Sequence, residues 1–362
     1  MRVLYCNKYN FPFSGTESYL FALMELMRGF GHEVALFSMA DERGKPTPFD
    51  EHFVRHIDFK TPGQRLVERI KLAMHAIYST EARQQLHRMI SAFRPDIAHV
   101  RNIYHHLSPS ILWELKAQGV PVLYHLNDFK LLCPTYNMVK QGRACEKSCL
   151  GQFWHVFRDG CYAGPQTEAV VLVAEAYFHH WIGSYRKCID HFLVPSRFAR
   201  QQLVENGFDT CKITVLPHFQ KLPSSPPPPI APDAPLLYFG RLSPEKGVAD
   251  LIQAMKHLPH LELQIAGDGP LRAELEAVAG HLCLTNVKFL GHVSGTDLDR
   301  LIASARFTVL PSLAYETLGK TILESYAWGR PVVATDLGSR RELVRDGGNR
   351  ISLSTGQRAA TG

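Results

Sequence analysis

The sequence has no apolar run near the length of a membrane span, no secretory signal and little excess of charge. Its longest apolar runs, such as residues 169–174, fall far short of the roughly 20 residues needed to cross a bilayer. The first eight residues lack the apolar stretch and small-residue cleavage site of a secretory signal. Lys and Arg number 40 against 34 Asp and Glu, a formal net charge of +6 that is too small to indicate nucleic-acid binding. We therefore expect a cytoplasmic protein that does not bind nucleic acid.

The composition is that of a globular protein with two domains. Apolar residues make up 45% of the 362 residues and charged residues 20%, which excludes a disordered chain. Residues 221–235 hold seven of the 23 prolines, and such a run favours an extended spacer because proline fixes φ and lacks an amide donor. We predict an N-terminal domain over 1–220, a linker over 221–235 and a C-terminal domain over 236–362.

Short apolar runs alternate with amphipathic stretches on both sides of this linker. The run at 3–6 is predicted as a strand, and a helix follows with Leu20, Leu23, Met24, Met27 and Phe30 on one face. Ser14 and Glu17 have the spacing of a capping box before that helix. Further strands are predicted at 34–37, 97–100, 120–124, 191–194, 236–239, 261–266, 287–290, 307–310 and 332–335. This alternation predicts two doubly wound parallel sheets, an α/β fold with two Rossmann-like domains, in which ligands bind beyond the carboxyl ends of the strands.

The segment 311–324, after one of these strands, carries two carboxylates separated by seven residues. Glu316 is expected in the loop, and Glu324 two turns into the next helix. The amides of residues 318–320 at the helix N-terminus favour an anion. Such a segment can bind sugar hydroxyls, a phosphate and a ribose diol, although isolated acids here are also consistent with ordinary helix-start residues.

Two cations follow the first strand after the linker. Arg241 and Lys246 lie in a short loop, where Arg can bind a diphosphate bidentately and Lys can add a point charge. Taken alone, the two are also consistent with solvated surface residues. The next predicted strand is followed by Gly267 and Gly269, a weak Gly-x-Gly pattern that is also typical of a simple turn.

Together these residues resemble the family-four retaining glycosyltransferases, which have the two-domain GT-B architecture. Other motifs of that family occur in the same order over residues 1 to 348: GHEV (31–34), VPSRF (194–198), NVKFLG (286–291) and GRPVVAT (329–335). The resemblance implies that the C-terminal domain binds a nucleotide-sugar, that the N-terminal domain binds the acceptor, and that transfer occurs between them with retention at the anomeric carbon.

The resemblance also implies roles for individual residues. Arg241 and Lys246 would hold the diphosphate, and Glu324 the ribose of a UDP- or GDP-sugar. The donor sugar would be bound by Glu316, Thr317, Leu318 and Gly319. Gly15, in the first loop, would let the chain pass close to the phosphates.

No catalytic metal is expected, because Arg241 and Lys246 can neutralise the phosphates. The one Asp-x-Asp sequence, Asp297 to Asp299, is interpreted as the start of a helix that reaches residue 305.

One position departs from the family pattern. Members with a related cysteine segment often carry a His-Asp pair before Cys-Pro, and here Asn127 and Asp128 occupy it. Asn127 can hydrogen-bond a sugar hydroxyl but cannot take a proton near neutral pH, so it is a candidate catalytic residue that would bind the acceptor and would not act as a base. His125 is interpreted as a core histidine.

Four cysteines form a symmetric series within an insertion at about 133–161. Cys133, Cys145, Cys149 and Cys161 could close a tetrahedral structural Zn site, and thiols without a metal are the alternative. The other four, Cys6, Cys188, Cys211 and Cys283, are interpreted as packing residues.

Residues 60–94 contain seven Lys or Arg and two Glu, nearly all of the net charge. Leu66, Val67, Ile70, Met74 and Ile77 fall at helical spacing, which is typical of a helix that docks peripherally on anionic lipid at the inner face of the membrane. A solvated helix packed on the N-terminal sheet is the alternative.

The tail 349–362 shows no apolar periodicity, whereas the family pattern continues here into a strand and several helices. We therefore expect a C-terminal domain that is incomplete at its end.

The resemblance implies a metal-independent, retaining hexosyltransferase of polysaccharide biosynthesis in the cell envelope. It would move a sugar from a nucleotide-sugar to a glycan or lipid-linked acceptor. Two alternatives are a GT-B nucleotide-sugar epimerase and a catalytically silent nucleotide-sugar-binding protein.

Overall fold

The chain folds as two compact units, each built around its own parallel sheet. The computed structural model describes residues 1–57, 66–140, 142–145, 151–162, 164–345 and 351–353, with 66 and 351–353 described by their backbone. The first unit comprises Met1–Tyr136, Lys147–Pro195 and Arg200–Leu216. The second comprises Asn137–Glu146, Ser196–Ala199 and Pro217–Gly362.

The first unit contains a six-stranded sheet whose paired strands all run parallel. In the order β2-β1-β3-β4-β7-β8 it uses the strands β1 (Arg2–Cys6), β2 (Glu33–Phe37), β3 (Ile97–Val100), β4 (Val122–His125), β7 (His191–Val194) and β8 (Ile213–Val215). Two further strands, β5 (Val139–Lys140) and β6 (Arg143–Ala144), form an antiparallel hairpin in the cysteine-bearing segment, within the range Asn137–Glu146 that belongs to the second unit. The predicted doubly wound sheet is confirmed, and β8 and the hairpin were not predicted.

The helices of this part of the chain alternate with its strands. They are α1 (Gly15–Gly29), α2 (Leu66–Ile77), α3 (Thr80–Phe93), α4 (Ser110–Ala117), α5 (His155–Arg158), α6 (Gln166–Ile182), α7 (Ser184–Cys188) and α8 (Arg197–Glu205). Helix α1 packs Leu20 and Met24 against β1. Phe30 was expected on that face, but it lies just past the end of α1 and is 69% exposed.

The start of α1 differs in detail from the predicted capping box. The Ser14 hydroxyl accepts from the amide of Thr16 at 3.2 Å, one residue earlier than in the standard box. It donates to the Glu17 carboxylate at 2.5 Å. In a standard capping box the glutamate side chain accepts from the backbone amide of the serine. Here the buried Glu17 stabilises the cap by accepting from the Ser14 hydroxyl instead.

The second unit contains the other six-stranded parallel sheet, in the order β11-β10-β9-β12-β13-β14. Its strands are β9 (Leu236–Phe239), β10 (Leu263–Ala266), β11 (Val287–Gly291), β12 (Phe307–Leu310), β13 (Val332–Thr335) and β14 (Ile351–Leu353). Its helices are α9 (Val248–Met255), α10 (Arg272–His281), α11 (Gly295–Ser304), α12 (Lys320–Ala327) and α13 (Arg340–Leu343). The core joins fully buried side chains of β9 and β10, such as Leu236 and Ile265, to Ile252 of α9. This confirms the second predicted sheet.

The tail does not entirely lack regular structure, contrary to the sequence-based expectation. Strand β14 pairs in parallel with β13, with Val333 opposite Ile351 and Thr335 opposite Leu353. Three residues are too few to show a periodicity, but they can bond the amide and carbonyl groups that β13 would otherwise present at the sheet edge.

Helix α2 presents apolar side chains to solvent. Val67 is 62% exposed, Ile70 50% and Met74 57%, while the helix itself packs against α6. Neither this helix nor any other in the described part of the chain is both long enough and apolar enough to span a membrane. The expected basic stretch at 60–94 begins partly outside the described residues, since 58–65 are not described.

Candidate functional site

Three loops at the carboxyl edge of the second sheet are hydrogen-bonded to one another. The carbonyl of Glu245, after β9, accepts from the amide of Leu313 at 2.8 Å and from the hydroxyl of Ser312 at 3.2 Å. The Ser312 carbonyl, after β12, in turn accepts from the hydroxyl of Thr335 at the end of β13, at 2.7 Å. The loops that carry Lys246 and Glu316 are therefore held together by main-chain contacts.

Lys246 and Glu316 form an ion pair in this arrangement. The Lys246 Nζ donates to Glu316 Oε1 at 2.7 Å, and the side chains are 27% and 17% exposed. Burial alone would raise the pKa of Glu316. The charges of Lys246 and Arg340, with hydrogen bonds from Lys246 and Ser312, outweigh burial and hold that pKa below its ordinary value. Glu316 is thus an ionised carboxylate at neutral pH.

Arg241 lies on the same edge with an exposed side chain. Its backbone is fixed, because the buried Tyr238 hydroxyl donates to the Arg241 carbonyl at 2.8 Å. The loop also rests on the Gly-x-Gly segment. A Cβ at Gly267 would lie 1.9 Å from the carbonyl oxygen of Gly240, and one at Gly269 would lie 2.3 Å from that of Leu242. These glycines let the loop after β10 pack directly against the backbone of the Arg241 loop. The Gly-x-Gly segment therefore does more than form a turn.

Lys246 ends a short 3-10 turn that requires glycine at the next position. Gly247 has φ +67°, and a Cβ there would lie 2.2 Å from the carbonyl oxygen of Pro311. The close approach brings the loop after β9 against the loop after β12. Gly247 therefore helps to place Lys246 beside Glu316.

The remaining donor-site candidates lie at the start of α12. Gly319 is its N-cap at φ +91°, Leu318 is buried, and the carbonyl of Thr317 accepts from the Ser196 hydroxyl at 2.6 Å. Glu324 was expected two turns into this helix, but α12 begins at Lys320 and Glu324 lies just over one turn in. Its Oε1 accepts from Lys320 Nζ at 3.1 Å.

Sequence reasoning missed Arg340, which follows β13. Its side chain is 1% exposed, its Nε donates to the Thr335 carbonyl at 3.1 Å, and its charge acts on Glu316. The rule that loops after parallel strands carry chemistry was the signal that could have found it.

Asn127 and Gly15 belong to the first unit. Gly15 is the exposed first residue of α1, and Asn127 follows β4. The Asn127 side-chain oxygen accepts from Arg101, a 1% exposed residue that sequence reasoning also missed. Arg101 also contacts His125 at 3.1 Å, and His125 is fully buried as predicted.

The predicted cysteine cluster is only partly described. Cys149 lies outside the described residues, while Cys133 is buried with its sulfur 3.2 Å from the Thr135 hydroxyl. Within the described ranges, no group of three or more His, Cys, Asp or Glu is arranged to hold a metal ion. The structural Zn site stays a prediction.

Two cysteines interpreted as packing residues are in fact exposed. Cys6 and Cys188 are buried as expected, but Cys211 and Cys283 lie at the surface, each in a loop or short turn. Burial raises the pKa of the Cys188 thiol to about 11.

The interpretation of the Asp-x-Asp sequence is confirmed. Asp297 lies in the first turn of α11 and pairs with Arg300 at 2.7 Å, and Asp299 accepts from the Trp328 indole at 3.1 Å.

Several curated glycosyltransferases are similar to part of this chain. Glycogen synthase of Mycobacterium tuberculosis is 36% identical over 161 residues, which are 43% of this chain and 36% of the synthase. Alpha-D-kanosaminyltransferase of Streptomyces kanamyceticus is 39% identical over 121 residues, 32% of this chain and 31% of that enzyme. The matched segments span about a third of the length of these relatives.

Solved structures match over almost the whole chain. Anabaena Alr3699/HepE in complex with UDP-glucose matches with a TM-score of 0.65 at 20% identity, over 99% of this chain and 86% of that chain. Sucrose-phosphate synthase from Thermosynechococcus elongatus matches with a TM-score of 0.67 at 18% identity, over 97% and 85%. At these identities the likeness concerns the fold, which is that of GT-B glycosyltransferases.

Family models cover both units. Residues 234–361 match the model described as glycosyl transferases group 1, and residues 14–218 match the model described as a glycosyl transferase 4-like domain. The second of these matches spans more than half of the chain, which therefore belongs to the glycosyl transferase 4-like family.

Proposed function

We propose that this chain is a retaining, metal-independent hexosyltransferase that moves a sugar from a UDP- or GDP-sugar to a glycan or lipid-linked acceptor. The ion pair of Lys246 and Glu316, held among three loops at the carboxyl edge of the second sheet, carries the proposal. That edge is where parallel α/β sheets bind nucleotides.

The charges of this edge suit a nucleotide-sugar. Arg241 and Lys246 supply two cations for a diphosphate, and Arg241 is exposed and able to reach it. Glu316 offers a carboxylate for sugar hydroxyls, with Thr317, Leu318 and Gly319 contributing backbone groups. In the proposed complex Glu324 binds the ribose diol.

The same cations suit the reaction. Breaking the bond to the diphosphate leaves negative charge on the leaving group and positive charge on the sugar. Arg241 and Lys246 stabilise the first as it develops, and the ionised Glu316 lies where it favours the second. Two side-chain cations at this edge supply the charge that a divalent metal would otherwise provide.

We further propose that the first unit binds the acceptor. Asn127 lies at the carboxyl end of β4, and Arg101 holds its side-chain oxygen, so its orientation is fixed. Gly15 follows the first loop of the same sheet, as the first residue of α1. We propose a role in polysaccharide or lipopolysaccharide synthesis, which is supported by relatives such as the lipopolysaccharide core biosynthesis glycosyltransferase LpsE of Rhizobium meliloti.

Two other functions are separated from this one by their products. A nucleotide-sugar epimerase would form product without any acceptor. A silent binding protein would bind a nucleotide-sugar and transfer nothing.

The test is a thermal-shift panel of UDP-, GDP- and ADP-sugars, followed by transfer assays with the donor that stabilises the protein. We expect Arg241→Ala and Lys246→Ala to lower turnover roughly a hundredfold, because losing one preorganised donor to developing charge costs about 3 kcal/mol. Lys288→Ala is the matched control, since Lys288 is an exposed lysine of β11 paired with Glu262. Near-normal turnover in both site variants would refute the proposed role.

A further inference from the structure

Arg340 is a buried cation whose hydrogen bonding is incomplete. It is 1% exposed, and Nε donates to the Thr335 carbonyl at 3.1 Å. Within the part of the chain that the structure describes, Nη1 and Nη2 have no acceptor. Leaving charged donors buried and unbonded is costly, because they lose their hydration without replacement. Because of this cost, we expect Nη1 and Nη2 of Arg340 to bond an acceptor in another state of the site.

The charges around Arg340 identify that partner. Burial lowers the pKa of Arg340, while Glu316 and Asp336 both raise it by their charge. Asp336 already accepts from Arg341 at 2.8 Å. Glu316 is paired with Lys246, whose long side chain is 27% exposed and can turn to another anion.

Two hydrogen bonds from side chains to backbone carbonyls fix the segment that carries Arg340 near Glu316. The hydroxyl of Ser339, the residue before Arg340, donates to the Glu316 carbonyl at 2.6 Å. The hydrogen bond from Arg340 Nε to the Thr335 carbonyl ties the guanidinium to the end of β13. The residue before Arg340 is therefore bonded to the Glu316 main chain independently of Lys246.

Resting on the proposed function, we propose that Arg340 is a positioning residue for Glu316. When Lys246 turns to the diphosphate of the donor, the terminal nitrogens of Arg340 take over the Glu316 carboxylate. They keep it ionised and aligned with the donor sugar. Glu316 thus exchanges one cation for another during donor binding.

The groups that face Glu316 explain why this exchange is needed. They are Lys246 from the loop after β9, Arg340 from α13, the neutral hydroxyl of Ser312, and Tyr238 of β9, whose pKa is raised by burial and by Glu316. Glu245 acts on Tyr238 as well. With Lys246 on the phosphates, Arg340 is the counter-ion among these groups. Without it the pKa of Glu316 would rise, and the carboxylate would be protonated at a higher pH.

The test measures kcat against pH for the full chain, at saturating concentration of the donor found in the panel. For Arg340→Met we expect kcat at pH 7 to fall about tenfold or more, with a smaller change in donor KM. The acidic limb of the kcat profile should move up by roughly one pH unit or more, because a neighbouring opposite charge lowers a carboxyl pKa by about 1–3 units. Arg340→Lys should restore the limb, and Arg341→Met, on the adjacent exposed position, should match the wild type.

Folding is monitored by thermal melting, and Arg340→Gln serves as a second neutral variant should the methionine variant unfold. An acidic limb that stays at the wild-type position in a folded neutral variant overturns the inference alone. So does a folded Arg340→Lys protein as impaired as the neutral ones, since it keeps the charge. A wild-type chain that neither binds nor transfers any nucleotide-sugar refutes the proposed function instead, and the inference with it.

Discussion

The individual residues of the candidate site divide into those visible in the sequence and those visible only in the fold. Lys246 and Glu316 could be predicted because each follows an apolar run that reads as a strand. Arg340 and Arg101 also follow predicted strands, but a sequence does not show that an arginine is only 1% exposed, so nothing distinguished them from surface residues. Both arginines act on a predicted polar residue: Arg101 donates a hydrogen bond to Asn127, and the charge of Arg340 lowers the pKa of Glu316.

Gly267 offers a residue-level test of how the site is supported. We expect Gly267→Ala to lower stability by roughly 1–3 kcal/mol, because its Cβ would meet the Gly240 carbonyl at 1.9 Å and backbone must move. The displaced loop carries Arg241, so donor affinity should fall as well. Chemical denaturation and the donor thermal shift measure the two effects.

Gly280→Ala is the matched control for that substitution. Gly280 lies in α10, where a Cβ meets nothing within 4 Å. Alanine there should stabilise the helix by roughly 0.5–1 kcal/mol. Equal stability changes in the two variants would contradict the steric explanation.

At the level of elements, strands that coincide with apolar runs of four or more residues were predicted, and shorter strands were not. Strands β8 and β14 have three residues each, and each strand of the hairpin has two, which is too short for a periodic pattern. The predicted place of Glu324, two turns into α12, was wrong for a different reason. Gly319 holds the chain at φ +91°, so α12 starts only at the next residue.

Helix α2 gives the element-level prediction, since three of its apolar side chains, Val67, Ile70 and Met74, are exposed. We propose that it docks on anionic lipid, where a lipid-linked acceptor would be found. We expect the chain to co-sediment at low salt with vesicles of phosphatidylglycerol and phosphatidylcholine. The double variant Ile70→Glu and Met74→Glu should lower the bound fraction several-fold, because it adds two negative charges to an apolar face.

Leu222→Glu is the control for helix α2. Leu222 is 72% exposed and lies in the predicted linker, so its substitution introduces one negative charge at an unrelated apolar position. Wild-type binding by the α2 double variant, or equal loss in the control, would count against docking through this helix.

At the level of the whole molecule, the two sheets were predictable because parallel strands buried on both faces appear as continuous apolar runs. The proline-rich segment separates those runs into two groups. The contacts between loops that are neighbours in the sheet could not be predicted. They depend on the strand order and on the close backbone approach at Gly247 and Gly267.

Hydrogen exchange provides the molecule-wide prediction. At saturating donor we expect slower amide exchange at 240–247, 312–320 and 336–342, the three loops that share the carboxyl edge of the second sheet. A donor bound elsewhere would leave all three unchanged. Slowed exchange only in the first unit would contradict the proposed site.

The pairing of Lys246 with Glu316 has a consequence for selectivity among small anions. A phosphate or sulfate ion must displace a carboxylate already 2.7 Å from the ammonium group. Even with Arg340 taking over that carboxylate, such an ion brings no sugar hydroxyls for Glu316 to bind. A complete nucleotide-sugar offers its diphosphate to Lys246 and its sugar hydroxyls to Glu316 at the same time. The chain should therefore discriminate against inorganic phosphate without any steric gate.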